Sequence, residues 1–176
     1  MIFTETPLQG AFLIDLEPHR DRRGFFARSF CRREFEANGL NPAVAQRNLS
    51  LNHKAGTLRG MHFQRPPAGE AKLVRCLAGR IHDVIVDLRP QSPTYRKHFA
   101  VGLTAESYRA LFIPEFFAHG FQSLSDDTLV EYQMSECYAP EHGSGFRYDD
   151  PAFNLAWPHA VTAISERDLA WPAFAA

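Results

Sequence analysis

The chain has 176 residues, 45% of them hydrophobic, which suits one globular domain over 1–176 with a sizeable core. Nineteen basic and 20 acidic side chains leave a formal charge of −1, so no global field draws the chain onto nucleic acid or an anionic membrane, and any phosphate affinity has to be local. Pro, Asp, Arg or Gly interrupts every hydrophobic segment well before it reaches the length of a bilayer.

Cys31, Cys76 and Cys137 are an odd number without metal-type spacing, and the first five residues lack a basic-then-apolar export signal, so a reduced, cytoplasmic protein is expected. In chain order, residues 10–16 read as a strand, and Asp21-Arg22-Arg23-Gly24 reads as a turn that exposes Arg23. Residues 32–38, closed by Gly39, form the one helix that the sequence signals well. Residues 59–63 make a second strand. A hairpin follows, with strands 72–77 and 80–88 flanking the Ala78-Gly79 turn; on its second strand His82, Val84, Val86 and Leu88 face one way and Ile81, Asp83, Ile85 and Asp87 the other. Further strands are expected at 98–103, 109–113 and 128–138. Turn residues at short, regular intervals and the absence of repeats or linkers point to a mainly β fold, a closed barrel or double-sheet jelly roll with short peripheral helices.

The most informative segment is Gly56-Thr57-Leu58-Arg59-Gly60-Met61-His62-Phe63-Gln64, which places a histidine in an apolar, strand-like stretch three residues after an arginine. An imidazole titrates near neutrality and a guanidinium fork suits phosphate or carboxylate oxygens, so the pair suggests acid–base chemistry on an anionic substrate. Arg59 and His62 differ by an odd number and would face opposite ways on a regular strand; either Arg59 precedes the strand or a bulge re-aims it. A second histidine, His119, follows Pro114-Glu115-Phe116-Phe117-Ala118. This spacing resembles the two motifs of the cupin superfamily, small jelly-roll barrels. Metal-binding cupins carry His-x-His in the first motif, whereas Gln64 replaces the second histidine here. That leaves His62 and His119 with Glu70 as the only candidate third ligand, a broken set, and no metal is expected.

Five further pieces occur in one order: Leu58 to Gln64, Lys72-Leu73-Val74-Arg75, Val86-Asp87-Leu88-Arg89, Ser92-Pro93-Thr94 and Phe117-Ala118-His119-Gly120-Phe121. With Asp21 to Phe26, Gln46-Arg47-Asn48-Leu49-Ser50, Tyr138-Ala139-Pro140-Glu141, Trp157-Pro158 and Ser165-Glu166-Arg167-Asp168, they span nearly the whole chain. The ordered set resembles the dTDP-4-dehydrorhamnose 3,5-epimerase family. The resemblance implies a homodimeric, cofactor-independent cupin that inverts C3 and C5 of a nucleotide-linked 4-keto-6-deoxyhexose during deoxysugar supply for surface polysaccharide.

A ketone at C4 acidifies the hydrogens on both neighbouring carbons, so inversion needs a base, an acid on the opposite face and a group to stabilise the enolate. By resemblance His62 is the base, Asp168 orients and polarises its imidazole, Tyr132 returns the proton and Lys72 stabilises the enolate oxygen. His119 lines the same pocket. Arg23, Arg59 and Arg167 match a diphosphate clamp, Tyr138 a stacking ring for the base, and Gln46, Arg47 and Asn48 contacts to the base or sugar. Ordinary roles stand beside these: Lys72 snorkelling from a strand edge, Asp168 capping the turn after Ser165, and Tyr132 and Tyr138 packing a barrel. His19, His53, His98, His142 and His159 lie near turn or polar residues and read as surface positions.

The chain departs from the family pattern at three points: Ala27-Arg28 where a glutamate is usual, Gly143 where a second glutamate is expected, and Phe116 where the Pro-Glu-Gly-Phe-Ala-His pattern has glycine. Arg28 then joins the candidate substrate contacts with its charge reversed. These departures touch the nucleotide and sugar ends more than the acid and base, so inversion at one carbon or a different nucleotide stays open. A nucleotide-sugar ketoisomerase and a non-catalytic sugar-nucleotide-binding module are the rival readings.

Overall fold

A computed structural model describes residues 1–174. Thirteen strands and two short helices follow one another as β1 (Ile2–Glu5), β2 (Phe12–Asp15), β3 (His19–Asp21), β4 (Gly24–Phe26), α1 (Arg32–Ala37), β5 (Gln46–Asn52), β6 (Leu58–Gln64) and β7 (Lys72–Ala78). Then come β8 (Arg80–Asp87), β9 (His98–Thr104), β10 (Ala110–Ile113), β11 (Phe117–Ser123), β12 (Thr128–Met134), β13 (Gly143–Gly145) and α2 (Glu166–Leu169). A six-stranded sheet runs β1-β2-β10-β7-β12-β5 and a five-stranded sheet runs β13-β6-β11-β8-β9, all pairs antiparallel; β3 and β4 form a separate hairpin. The two larger sheets face each other as a jelly-roll sandwich, the architecture that the regular turn spacing predicted.

Strand alternation partitions the apolar residues into three layers. Val74, Cys76, Leu111, Ile113 and Val130 of the first sheet meet Ile81, Ile85, Leu103, Phe117 and Phe121 of the second between the sheets. Leu73, Ala110 and Phe112 turn to the outside of the first sheet, where Phe35 of α1 and Leu40 cover them. On the outside of the second sheet Val84, Val86 and Ala118 pack under Phe146 and Phe153 of the C-terminal segment. Both predicted faces of β8 are therefore buried.

The expected hairpin between residues 72–77 and 80–88 does not form. β7 pairs with β10 and β12, and β8 with β11 and β9, so Gly79 (φ +75°) turns the chain from one sheet into the other. A side chain at Gly79 would meet Ser125 Oγ and Thr128 Oγ1 at about 2.5 Å and 2.6 Å, so the crossing requires glycine there. The strand expected over 128–138 stops at Met134, and residues 137–139 leave the ladder. β5 and β11 form where the sequence gave no separate strand signal. Asp87 ends β8 fully buried, accepting hydrogen bonds from Arg89, Ser92 and Thr94. The Val-Asp-Leu-Arg and Ser-Pro-Thr pieces thus form one buried tie at the end of the sandwich.

Candidate active site

Beside the apolar core, between the β7-β12-β5 side of the first sheet and the β13-β6-β11 side of the second, the sheets part around a cavity of about 530 Å³. Register decides what enters it. Tyr132 lies opposite both Asn48 and Val74, and Met134 opposite Gln46 and Lys72, so Gln46, Asn48, Lys72, Tyr132 and Met134 project from the first sheet together. From the second sheet come Arg59, His62 and Gln64 of β6 and His119 and Phe121 of β11.

The odd spacing of Arg59 and His62 is resolved by a bulge. His119 pairs with His62 and Phe121 with Arg59, so Gly60 and Met61 stand opposite the single residue Gly120. Both side chains therefore reach the cavity, while Met61 turns outward into the C-terminal core layer. Gly60 (φ +134°) packs directly on Gly120: a Cβ on residue 60 would lie 2.5 Å from Gly120 Cα. Two glycines back to back are what this geometry needs.

Across the bulge, Asp168 Oδ1 lies 2.6 Å from His62 Nε2. Asp168 sits in α2 at 4% exposure, and Ser165 is the N-cap whose Oγ accepts from the Asp168 backbone N–H. The cap is thus the serine, and the Asp168 carboxylate is free to face the imidazole. Burial pushes this carboxyl upward, but the hydrogen bond and charge of His62, with the Gly60 N–H, outweigh it and hold the group below the usual aspartate value. With Nε2 engaged, Nδ1 is the ring nitrogen left for proton transfer.

Tyr132 stands on the facing sheet. Burial raises its phenol above the ordinary value, with a lowering from Arg59 and a further rise from Glu70, so it is a protonated donor at neutral pH. Lys72 Nζ lies 3.0 Å from Glu70 Oε1, both side chains almost fully buried in the cavity wall. His119 Nε2 contacts the fully buried Asp83 at 2.9 Å, so a second imidazole is oriented beside the first. Arg59 Nε donates to Asn52 Oδ1 at 2.8 Å and Arg167 Nη1 to the Tyr138 hydroxyl at 3.3 Å, which sets two cationic forks and one exposed ring at the mouth.

The structure brings together His62, Tyr132, Asp168, Lys72, Gln46, Asn48, Arg59, His119, Tyr138 and Arg167. It does not bring in Arg47, Arg23 or Arg28. Arg47 alternates to the outside of β5, where Nη2 and Nε donate to Gln133 at 2.8 Å and 3.1 Å, so its placement at the substrate is corrected. Arg23 is exposed on the β3–β4 hairpin and bonded to Asp21; Arg28 pairs with Glu34. Neither lines this chain's own cavity. Sequence reasoning overlooked Glu70 as a partner of Lys72 and Asp83 as a partner of His119. Asp83 carried a usable signal, a carboxylate on the same strand face as buried Ile81 and Ile85.

The departures from the family pattern have local consequences. Gly143 lies beside the Tyr138 hydroxyl and Arg167, where a Cβ would come to 3.4 Å and 3.5 Å of them, so a side chain here would contact the groups at the mouth. Phe116 adopts φ +62°, unfavourable for a residue with a side chain, and its ring covers Gly69 just before Glu70. No three His, Cys, Asp or Glu side chains gather to hold a metal among the described residues. No helix among them is long and apolar enough to cross a membrane.

Comparison with known proteins converges on one family. The family model described as dTDP-4-dehydrorhamnose 3,5-epimerase matches residues 5–176. The chain is 44% identical over 172 residues to the dTDP-4-dehydrorhamnose 3,5-epimerase of Methanothermobacter thermautotrophicus, covering 96% of this chain and 92% of the relative. It superposes on the crystal structure of the enzyme of that name from Elizabethkingia anophelis with a TM-score of 0.95 at 35% identity, over 99% of this chain and 96% of the other. A Legionella pneumophila epimerase in complex with dTDP-4-keto-L-rhamnose matches with a TM-score of 0.89 at 33% identity, over 99% of both chains. With that coverage and a shared jelly-roll architecture, the chain belongs to the dTDP-4-dehydrorhamnose 3,5-epimerase family of carbohydrate isomerases.

Proposed function

We propose that this protein inverts C3 and C5 of a dTDP-linked 4-keto-6-deoxyhexose, and that the observation carrying the reading is a histidine–aspartate pair and a partly buried phenol on facing walls of one cavity. His62 Nδ1 takes the proton from the carbon beside the ketone. The C–H electron pair becomes the enolate, whose oxygen is stabilised by the Lys72 ammonium held by Glu70. Tyr132 delivers a proton to the opposite face, and solvent returns His62 and Tyr132 to their starting states. The substrate leaves with the same atoms and oxidation level, so the chemistry calls for neither a redox cofactor nor a metal.

Arg59 and Arg167 serve the diphosphate, Tyr138 stacks on the base, and Gln46, Asn48 and His119 contact the base or sugar. One cupin-type domain over residues 1–176 carries these roles, in a cytoplasmic enzyme supplying deoxysugar for surface polysaccharide.

The active unit is a homodimer. Leu49 (65% exposed), Leu51 and Leu77 stand on the uncovered outer face of the first sheet, and β5 is its free edge. Phe25 and Phe26 on the β3–β4 hairpin are also exposed. Exposed apolar side chains beside a free strand edge fit a second copy. Arg23 and Arg28 reach substrate only if that second copy supplies them to its neighbour's cavity.

Incubation with dTDP-4-keto-6-deoxyglucose in deuterated water, followed by NMR, tests the reading. Deuterium and inversion at both C3 and C5 are expected. Label at C3 or C5 alone makes the protein a mono-epimerase, a moved carbonyl makes it a ketoisomerase, and no exchange on this or other nucleotide sugars leaves only a binding module. Sedimentation at increasing concentration checks the dimer, and a monomer across the micromolar range would overturn it.

A further inference from the structure

Gln64 occupies the place of the second histidine in the metal-binding cupin pattern, and its amide is turned away from metal chemistry altogether. It ends β6 at 2% exposure. One amide N–H donates to Ala68 O at 2.9 Å and the other to Cys137 O at 3.3 Å, while Oε1 accepts from the Ala139 backbone N–H at 2.7 Å. Reversing the amide would set its NH₂ group against the Ala139 N–H and its oxygen against two carbonyls, so the network fixes the orientation.

A second glutamine completes the arrangement: Gln46 Oε1 accepts from the Tyr138 backbone N–H at 2.6 Å. The main chain at 137, 138 and 139 is thus held by Gln64 and Gln46, with Glu136 Oε1 accepting from the Cys137 N–H at 2.7 Å, in a segment that lies past the end of β12 and has no ladder partners of its own. Tyr138 itself keeps 46% of its surface exposed at the cavity mouth. A ring that is open to solvent yet carried on a clamped backbone is a pre-formed stacking platform.

We infer that Gln64 is a positioning residue for substrate binding, fixing the 137–139 segment so that the Tyr138 ring is presented to the nucleobase before the ligand arrives. This rests on the proposed role of Tyr138 as the stacking ring. The residue type follows from the partners: one side chain must donate twice and accept once within a buried corner. Glutamate has no donor, leucine has neither function, and the two ring nitrogens of histidine diverge. The Ala68 bond also ties the platform to the 65–70 loop that leads to Glu70 and Lys72, so the position that would bind a metal instead joins the nucleotide end of the cavity to the catalytic end.

The test is a double-mutant cycle of wild type, Gln64→Leu, Tyr138→Ala and the double variant, reading dTDP affinity by calorimetry together with kcat and KM on dTDP-4-keto-6-deoxyglucose. Loss of base stacking should weaken dTDP binding about 10-fold or more in Tyr138→Ala. Gln64→Leu should weaken it about 5- to 10-fold and raise KM rather than lower kcat, and the double variant should be at most about 2-fold weaker than Tyr138→Ala, because Gln64 acts through that ring. Additive losses, or wild-type affinity in Gln64→Leu, overturn the inference while leaving the Tyr138 role standing. Wild-type affinity in Tyr138→Ala removes the stacking role and this inference with it. Should Gln64→Leu fail to fold, Gln64→Glu keeps the shape and the acceptor, deletes both donors, and is read by the same criteria.

Discussion

Replacing Asp168 with asparagine separates the orienting carboxylate from everything else in the site. The carboxylate lies 2.6 Å from His62 Nε2 at 4% exposure, so the substitution removes one short, partly buried, charge-assisted hydrogen bond while conserving shape. Such a bond is worth about 1.5–3 kcal/mol. The carboxylate counters the charge that His62 acquires on taking a proton, a charge present in the transition state and absent in the resting imidazole. The loss should therefore fall on kcat, by about 10- to 150-fold, with KM little changed. An amide offered to Nε2 also permits the unwanted tautomer, which deepens the loss. The assay is steady-state epimerisation alongside dTDP affinity and thermal melting; the last two should stay near wild type, because Arg59, Arg167 and Tyr138 are untouched and Ser165 still caps α2. A kcat within about 3-fold of wild type would refute the assigned role.

Gly60→Ala should cost about 2–5 kcal/mol and most of the activity, since its Cβ would press on Gly120 Cα at 2.5 Å and His119 O at 3.0 Å in a φ region closed to alanine. An unchanged denaturation midpoint would show that the bulge does not need glycine. Acid should destabilise the fold through Asp168 and Asp87. Burial raises the Asp87 carboxyl, but Arg89, Ser92 and Thr94 outweigh it and leave the group depressed, as His62 does for Asp168. A depressed native value means that the unfolded chain binds the proton first: the stabilisation is full above the unfolded value near about pH 4 and fades as pH falls through the native one. Urea midpoints should drop steeply below about pH 4 in wild type and less steeply in Asp87→Asn. Equal acid slopes in the two proteins would contradict the assignment of Asp87.

The sequence made some elements plain because local pattern and burial agree. α1 carries its stop in Gly39, and β9 and β10 are bounded by turn residues. β5 was illegible for a physical reason: its apolar residues Leu49 and Leu51 face outward while Gln46 and Asn48 face the cavity, the inverse of a half-buried strand. β11 hid behind a histidine and a glycine that serve the site and the bulge. The false hairpin at Gly79 shows a limit of local reading, since a turn between two strands reads the same whether it joins partners or passes between sheets. The tell was the second strand, apolar on both faces, which an ordinary hairpin edge does not require. In the site, His62 and Arg59 stood out through their chemistry, whereas the contact of His62 with Asp168, 106 residues away, was legible only through the ordered motifs of the family. Arg47 was misplaced because a motif carries three consecutive residues and a strand can present only alternate ones.

The central claim is that base and acid stand on opposite walls, and a paired measurement on two variants tests it most directly. In deuterated water, His62→Ala should lose both solvent exchange and inversion, whereas Tyr132→Phe should still exchange hydrogen at the carbons flanking the ketone, with its product retaining the starting configuration. Loss of exchange and inversion to the same degree in both variants, or full inversion by Tyr132→Phe, would contradict the account.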